Sequence, residues 1–112
     1  MRTYVRMMGL GPYRPVRELE GAIERRELDI AIGIAKDIAR ERRPIGLELA
    51  LRLVALVAAE GPDYDLWACR WLERWLGETP GATIGLAAEV AATLAALPAE
   101  PQGVDVIRQV VR

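Results

Sequence analysis

The fold of this chain is decided by residues 44–97, PIGLELALRLVALVAAEGPDYDLWACRWLERWLGETPGATIGLAAEVAATLAAL. Three apolar patterns with helical spacing follow one another in this segment. Proline or threonine opens each pattern and glycine or proline closes it, as expected where helices begin and end. Such short breaks between apolar helices predict a compact helical bundle.

The same reasoning, extended to both sides of this segment, predicts five or six helices. Pro15 suits a first helical turn, because its ring fixes a helical φ and its missing N–H would have no partner there. Gly9 and Pro12 interrupt any helix before that point. We predict an all-α fold, a five- to six-helix antiparallel bundle or α-hairpin domain over residues 15–112, preceded by an irregular basic arm over residues 1–14. The predicted helices cover about Pro15 to Arg26, Leu28 to Arg43, Pro44 to Glu60, Asp63 to Leu76, the residues between Pro80 and Pro98, and Gln102 to Val111.

Three tryptophans recur at helical spacing in the fourth predicted helix. Trp67, Trp71 and Trp75 continue into leucines on the same face, which is typical of a core stripe. The alternative is a protein-binding hot spot, because aromatic side chains concentrate interface energy. Large tryptophans opposite small residues would pack closely, so we expect them to face the alanine stripe of the fifth helix. That stripe consists of Ala87, Ala88, Ala91 and Ala95.

Two short segments resemble known helical proteins. Residues 22–31, AIERRELDIA, resemble the helix-turn-helix junction of tetratricopeptide and other α-solenoid repeats. This resemblance covers one hairpin, Leu19 to Arg42, and implies architecture only, because no repeat period recurs along the chain. Residues 70–80, RWLERWLGETP, are similar to small, uncharacterised all-helical proteins of GC-rich bacteria, and that resemblance implies no activity.

The composition removes most residue types that build catalytic or metal sites. The chain has no His, Ser, Asn or Phe and one cysteine, so a zinc site lacks both a second thiolate and an imidazole. We therefore expect no catalytic, cofactor-binding or metal-binding residues and a protein that is not an enzyme. The longest charge-free stretches have ten residues, whereas a membrane helix needs about 20. The N-terminus lacks the apolar run of a secretory signal, so we expect a cytoplasmic protein.

Several residues still invite a chemical interpretation. Cys69 has no histidine to take its proton, so we expect a small packing residue rather than a nucleophile. Glu48, in the most apolar helix, is either a buried acid of raised pKa or the ion-pair partner of Arg52 four residues on, and we favour the ion pair. Asp63 and Asp65 suggest a carboxylate pair for a cation. We favour capping of the fourth helix instead, because acids at a helix start bind its free N–H groups.

Charge is unevenly distributed along the chain. Residues 1–17 contain four arginines and no acid, whereas the remainder has eleven cations and sixteen acids. Such an arm could neutralise phosphates while its tyrosines stack on bases, so a nucleic-acid-associated accessory protein is the alternative function. The candidate contacts are Arg2, Tyr4, Arg6, Tyr13, Arg14 and Arg17. The patch would extend to Arg25, Arg26, Arg40, Arg42 and Arg43 if the first two helices present them together.

The leading prediction is a non-enzymatic helical adaptor that binds another protein or itself through an apolar face. Hydrophobic residues make up 52% of the chain, and the last helix needs somewhere to bury its apolar side chains. A homodimer joining two such faces by two-fold symmetry is the commonest solution. The candidate interface residues are Trp67, Trp71, Trp75, Val104, Ile107, Val110 and Val111.

Overall fold

The computed structural model describes residues 14–111, which form six α-helices and no strand. The all-α prediction is therefore confirmed over this part of the chain. The helices are α1 (Arg14–Glu24), α2 (Leu28–Arg40), α3 (Leu47–Glu60), α4 (Tyr64–Glu78), α5 (Ile84–Ala96) and α6 (Gly103–Val111).

The helices belong to two compact units. The first ends at Ile45 and contains α1 and α2, and the second begins at Gly46 and contains α3 to α6. A single domain over residues 15–112, preceded by an arm, stays a prediction. Residues 1–13, on which most of the predicted arm falls, lie outside the described residues.

The first unit is a helical hairpin. Residues 25–27 connect α1 to α2, and so short a connection makes the two helices antiparallel neighbours. Its buried residues recur at spacings of three and four on each helix, which is the pattern of a helix with one apolar face. They are Leu19, Ala22 and Ile23 on α1 and Ala31, Ala35 and Ile38 on α2.

Both helices of the hairpin end in the same way, at an arginine in the left-handed region. Arg26 has φ 58° and Arg42 has φ 57°. After α1, Glu27 N–H donates to Ala22 O at 2.9 Å and Arg26 N–H donates to Ile23 O at 3.0 Å, which is the Schellman pattern. The same pair of bonds recurs around Arg42 after α2. Glycine is the usual residue at this position, because a side chain there costs about 1–2 kcal/mol.

The second unit is an antiparallel four-helix bundle. Consecutive helices pack against each other, and α3 also packs against α6. Trp71 and Trp75 stack in the core with ring centroids 6.4 Å apart, and Trp71 Nε1 donates to Leu47 O at 3.0 Å. The buried core consists of Leu51, Val54, Ala68, Trp71, Trp75, Val90, Leu94, Leu97 and Ile107.

An ion pair joins the first and last helices of this bundle. Arg108 Nη2 donates to Glu48 Oε1 at 3.2 Å, and both side chains are partly exposed. Glu48 is therefore not the fully buried acid considered above. Arg108 lies 60 residues further along the chain, so local spacing could not reveal this partner.

The structure differs from the prediction in the orientation of α5, although Ala87 does pack against the core. Val90 and Leu94 point into the core, while Ala88 and Ala95 are exposed. The prediction that the alanine stripe faces the tryptophans is thus wrong for Ala88 and Ala95. Since α5 carries only one charge, its sequence has no polar face to orient it, and burying Val and Leu removes more apolar area from water than burying Ala.

The helix starts also differ in detail from the predictions. At α4, Asp63 has φ 61° and its side chain makes no capping bond, so the predicted side-chain cap is wrong there. Its backbone oxygen instead accepts from the N–H groups of Leu66 and Trp67. At α5 the cap is Thr83, whose Oγ1 accepts from Leu86 N–H at 3.1 Å, so this helix begins later than Pro80.

Candidate interaction surfaces

The fold brings all seven predicted interface residues into or against the core of the second unit. Trp75 is 0% exposed, and Trp71 and Ile107 are also buried in the core. The other predicted interface residues pack against that core and are partly buried: Trp67, Val104, Val110 and Val111. Most of the apolar side of α6 is thus buried within the chain. The residues that are exposed to a partner therefore lie on other surfaces of the unit.

Two of the exposed large apolar side chains of this unit lie on one side of α4 and α5. Ile84 is 90% exposed and Leu76 is 42% exposed, although both are large and apolar. On each helix, further uncharged residues follow at helical spacing and form a stripe with them. We call the two stripes together the α4–α5 face. It consists of Cys69, Leu72 and Leu76 on α4 and Ile84, Ala88, Ala91 and Ala95 on α5. None of these seven side chains carries a formal charge at neutral pH.

A small depression lies at one end of the α4–α5 face. Its volume is about 160 Å³, and its walls come from the start of α4 and the end of α5. Because the two helices are antiparallel, Ile84 and Leu76 lie at the opposite end of the face. The lining residues are Tyr64, Asp65, Ala68, Cys69, Leu72, Ala91, Leu94 and Ala95.

Tyr64 fixes the geometry of this depression. Its hydroxyl donates to Leu94 O at 2.6 Å, which ties the start of α4 to the end of α5. Burial of the phenol, and secondarily the neighbouring Asp65 carboxylate, raise the pKa of Tyr64 to about 12. Both causes oppose formation of a phenolate, so Tyr64 keeps its proton and its hydrogen bond at neutral pH.

This raised pKa predicts a loss of stability in alkaline solution. An unfolded tyrosine loses its proton at a pKa of about 10, whereas folded Tyr64 holds it to about 12. Between these values the native chain binds more protons, so its free energy of unfolding falls as pH rises. The contribution is fully present below pH about 10 and is lost as pH rises through about 12.

Tyr64→Phe is the matched control for this titration. Chemical denaturation of both proteins at intervals from pH 9 to 12 should show a shallower fall for the phenylalanine variant. At neutral pH that variant should be less stable by about 1 kcal/mol, the usual net value of one hydrogen bond. Equal slopes for the two proteins would contradict the assignment to Tyr64.

Cys69 lies on the rim of the depression and is exposed. The prediction that Cys69 is a packing residue is therefore wrong. Cys69 lies outside the core because α4 turns Ala68 and Trp71 inward instead. As the only cysteine of the chain, its thiol is a specific chemical reporter of whether the α4–α5 face is covered.

A second apolar surface, the α5–α6 groove, lies between the last two helices. Val106 is 59% exposed in it, and two adjoining depressions of about 240 and 370 Å³ share Ala92, Thr93 and Val106. Glu89 and Glu100 lie on its edges. Carboxylates thus flank the apolar floor of the groove, as Asp65 does at the depression of the α4–α5 face.

The arginines of the hairpin divide between its two ends. Because the two helices are antiparallel, the start of α1 and the end of α2 lie at the same end of the hairpin. This end carries Arg14, Arg17, Arg40, Arg42 and Arg43. The pair Arg25–Arg26 belongs to the connection at the other end, so the two helices do not present all these cations together. The remaining predicted nucleic-acid contacts lie outside the described residues: Arg2, Tyr4, Arg6 and Tyr13.

Among residues 14–111 no three His, Cys, Asp or Glu side chains are grouped so that they could hold a metal ion. Over the same residues no helix combines the length and the hydropathy needed to cross a membrane. Comparison with known proteins assigns neither a family nor a function to the chain. No protein-family model, no curated protein and no solved structure matches the chain, so the two resemblances drawn from its sequence stay predictions.

Proposed function

We propose that this chain is a self-associating protein-interaction domain, without a catalytic role, and that the α4–α5 face is its interface. The observation that carries the proposal is the exposure of Ile84, at 90% of its surface, beside an uncharged apolar stripe. Burying an isoleucine of this kind is worth about 1.5–3 kcal/mol. A surface of this composition is typical of a protein–protein contact.

The arrangement of the face favours a second copy of this chain as the partner. Ile84 projects at one end, and the depression of about 160 Å³ lies at the other. A two-fold axis at the middle of α5 would bring each projecting isoleucine to the depression of the other copy. Two equivalent contacts would then form at once, which is how a self-complementary two-fold interface is built.

The sequence of α5 is compatible with this pairing. Two antiparallel α5 helices crossing at their centres would place Ile84 opposite Ala95 of the partner, and Ala88 opposite Ala91 of the partner. Small residues at the crossing let helix axes approach to the lower end of the usual range of about 8–10 Å. The seven residues of the face carry no formal charge, and the charge closest to the proposed contact is that of Asp65, which lines the depression.

The oligomeric state tests this proposal. We expect a particle of twice 12.4 kDa by light scattering coupled to size exclusion, with a mass that does not depend on salt concentration. Ile84→Glu should give a monomer with an unchanged far-ultraviolet spectrum, because an acid in the first turn of a helix is compatible with its dipole. Cys69 should react slowly with a thiol reagent in the dimer and rapidly in this variant.

Val106→Glu is the matched control, because it places the same charge on the other exposed apolar surface. It should leave both the mass and the thiol reactivity unchanged. A wild-type protein that stays monomeric up to about 100 μM, a concentration ample for most specific dimers, would contradict the proposal. Dissociation by Val106→Glu but not by Ile84→Glu would instead assign the interface to the α5–α6 groove.

A further inference from the structure

We propose that the end of the α1–α2 hairpin where α1 begins and α2 finishes binds the phosphate backbone of nucleic acid. We call this region the basic end, and it consists of Arg14, Arg17, Arg40, Arg42 and Arg43. This function is separate from self-association and uses residues of the other structural unit. The antiparallel topology creates the cluster, because its members are up to 29 residues apart in the sequence.

Charge is strongly segregated along the hairpin. Residues 14–18 and 36–43 together contain six cations and three acids, a local charge of +3. Residues 19–35, at the connection end, contain two cations and four acids, a local charge of −2. Salt screens charges over about 10 Å at 0.1 M ionic strength. The local charge of the basic end, more than the net charge of −1, therefore governs attraction to a phosphate in contact with it.

The cations of the basic end are accessible. All five arginines are exposed, and Arg17 and Arg42 form no ion pair within the described residues 14–111. Arg40 Nη1 lies 2.6 Å from Asp37 Oδ1, but this pair is largely in solvent. Exposed pairs of that kind contribute about 0–1 kcal/mol, so a phosphate can compete for the guanidinium.

Arg42 also has an unusual backbone conformation. It occupies the left-handed position after α2, with φ 57°, where glycine is the usual residue. An arginine at this point gains nothing from the hairpin core, since its side chain is exposed. It extends the cluster beyond the last turn of α2, as Arg26 extends the connection end beyond α1.

The chemistry of the cluster favours nucleic acid over a lipid surface. Guanidinium groups bind phosphate oxygens through two parallel N–H donors, and all five members of the basic end are arginines. A membrane-binding segment would also carry exposed large apolar residues that enter the headgroup region. The end of α2 has none, because residues 40–43 read Arg-Glu-Arg-Arg.

Two double variants of the full chain separate the basic end from a general effect of charge. Arg17→Gln with Arg42→Gln removes two cations from the basic end. Arg25→Gln with Arg26→Gln removes two cations from the connection end. The two double variants are matched, because each replaces one arginine of positive φ. The probe is a fluorescein-labelled duplex of 20 base pairs, titrated by anisotropy between 50 and 200 mM NaCl, with circular dichroism as the folding control.

We expect the wild-type affinity to fall steeply with salt. Each lost phosphate contact should lower the slope of log K against log salt by about 0.9. The Arg17/Arg42 variant should therefore show a slope smaller by about 2 and an affinity roughly ten- to a hundred-fold weaker at 0.1 M salt. The Arg25/Arg26 variant should bind as the wild type does.

Three results would overturn the proposal. The first is an absence of duplex binding by the folded wild-type chain at 50 mM NaCl. The second is an equal loss of affinity in both double variants, which would reflect total charge alone. The third is tighter binding to vesicles of phosphatidylserine and phosphatidylcholine than to the duplex, lost in the Arg17/Arg42 variant, which would identify a membrane surface as the partner.

Discussion

Replacing Trp75 with alanine should lower the free energy of unfolding by about 3–5 kcal/mol. Trp75 is fully buried and stacks on Trp71 with an interplanar angle of 8°. Its indole Nε1 has no hydrogen-bond partner within the described part of the chain. The expected loss is therefore one of packing and buried apolar area, and no hydrogen bond is lost with it. Urea denaturation followed by circular dichroism measures the change.

Trp67→Ala is the control for this prediction. Trp67 lies on the same helix, two turns earlier, and is only partly buried against the core. Truncating it removes the same atoms but leaves a site that water can fill, so its cost should be less than half that of Trp75→Ala. A larger loss for Trp67→Ala than for Trp75→Ala would show that the core is not centred on the stacked pair.

Gly103→Ala should destabilise the protein by about 1–3 kcal/mol, although alanine is the better helix former. A Cβ at this position would lie 2.9 Å from Thr93 Cγ2, which is closer than two carbon atoms can approach. Thr93 cannot simply rotate away, because its Oγ1 donates to Glu89 O at 2.8 Å. The contact between α5 and α6 would have to open. Urea denaturation of the single variant gives the cost.

Thr93→Ser provides a direct test of this cause. Serine keeps the hydroxyl that bonds Glu89 O and removes only the methyl group that meets the new Cβ. The double variant should therefore recover most of the stability lost in Gly103→Ala, with a coupling energy of about 1–2 kcal/mol. If the effects of the two substitutions on the free energy of unfolding are additive, contact with the Thr93 methyl group is not the cause of the lost stability.

The helices themselves were largely predictable, because their limits are set by local chemistry. Gly61 and Pro62 end α3, for example, and the structure ends that helix at Glu60. Orientation was less predictable where the sequence has no polar face. Helix α5 has a single charge, Glu89, so the competition between Val90, Leu94 and the alanines for the core largely decides which side is buried.

The candidate surfaces depended on contacts that sequence spacing does not encode. The exposure of Ile84 follows from the orientation of α5, and that of Cys69 from the inward turn of Ala68 and Trp71. All five arginines of the basic end were already candidates from the sequence, together with Arg25 and Arg26. The separation of the basic end from Arg25 and Arg26 needed the antiparallel path of the hairpin.

The contact between α3 and α6 has a consequence for how the second unit could be rearranged. Because Glu48 lies in the first turn of α3 and Arg108 in the last turns of α6, their ion pair brings the two ends of the unit together. An open solenoid keeps its ends apart and can add repeats, whereas this unit is closed on itself. Residues 46 and 111 flank these two ends, so a linker between them would close the chain of the unit. The chain could then be opened in the connection 79–83 without cutting a helix. The unit thus has the geometry that circular permutation, or insertion into a loop of another protein, requires.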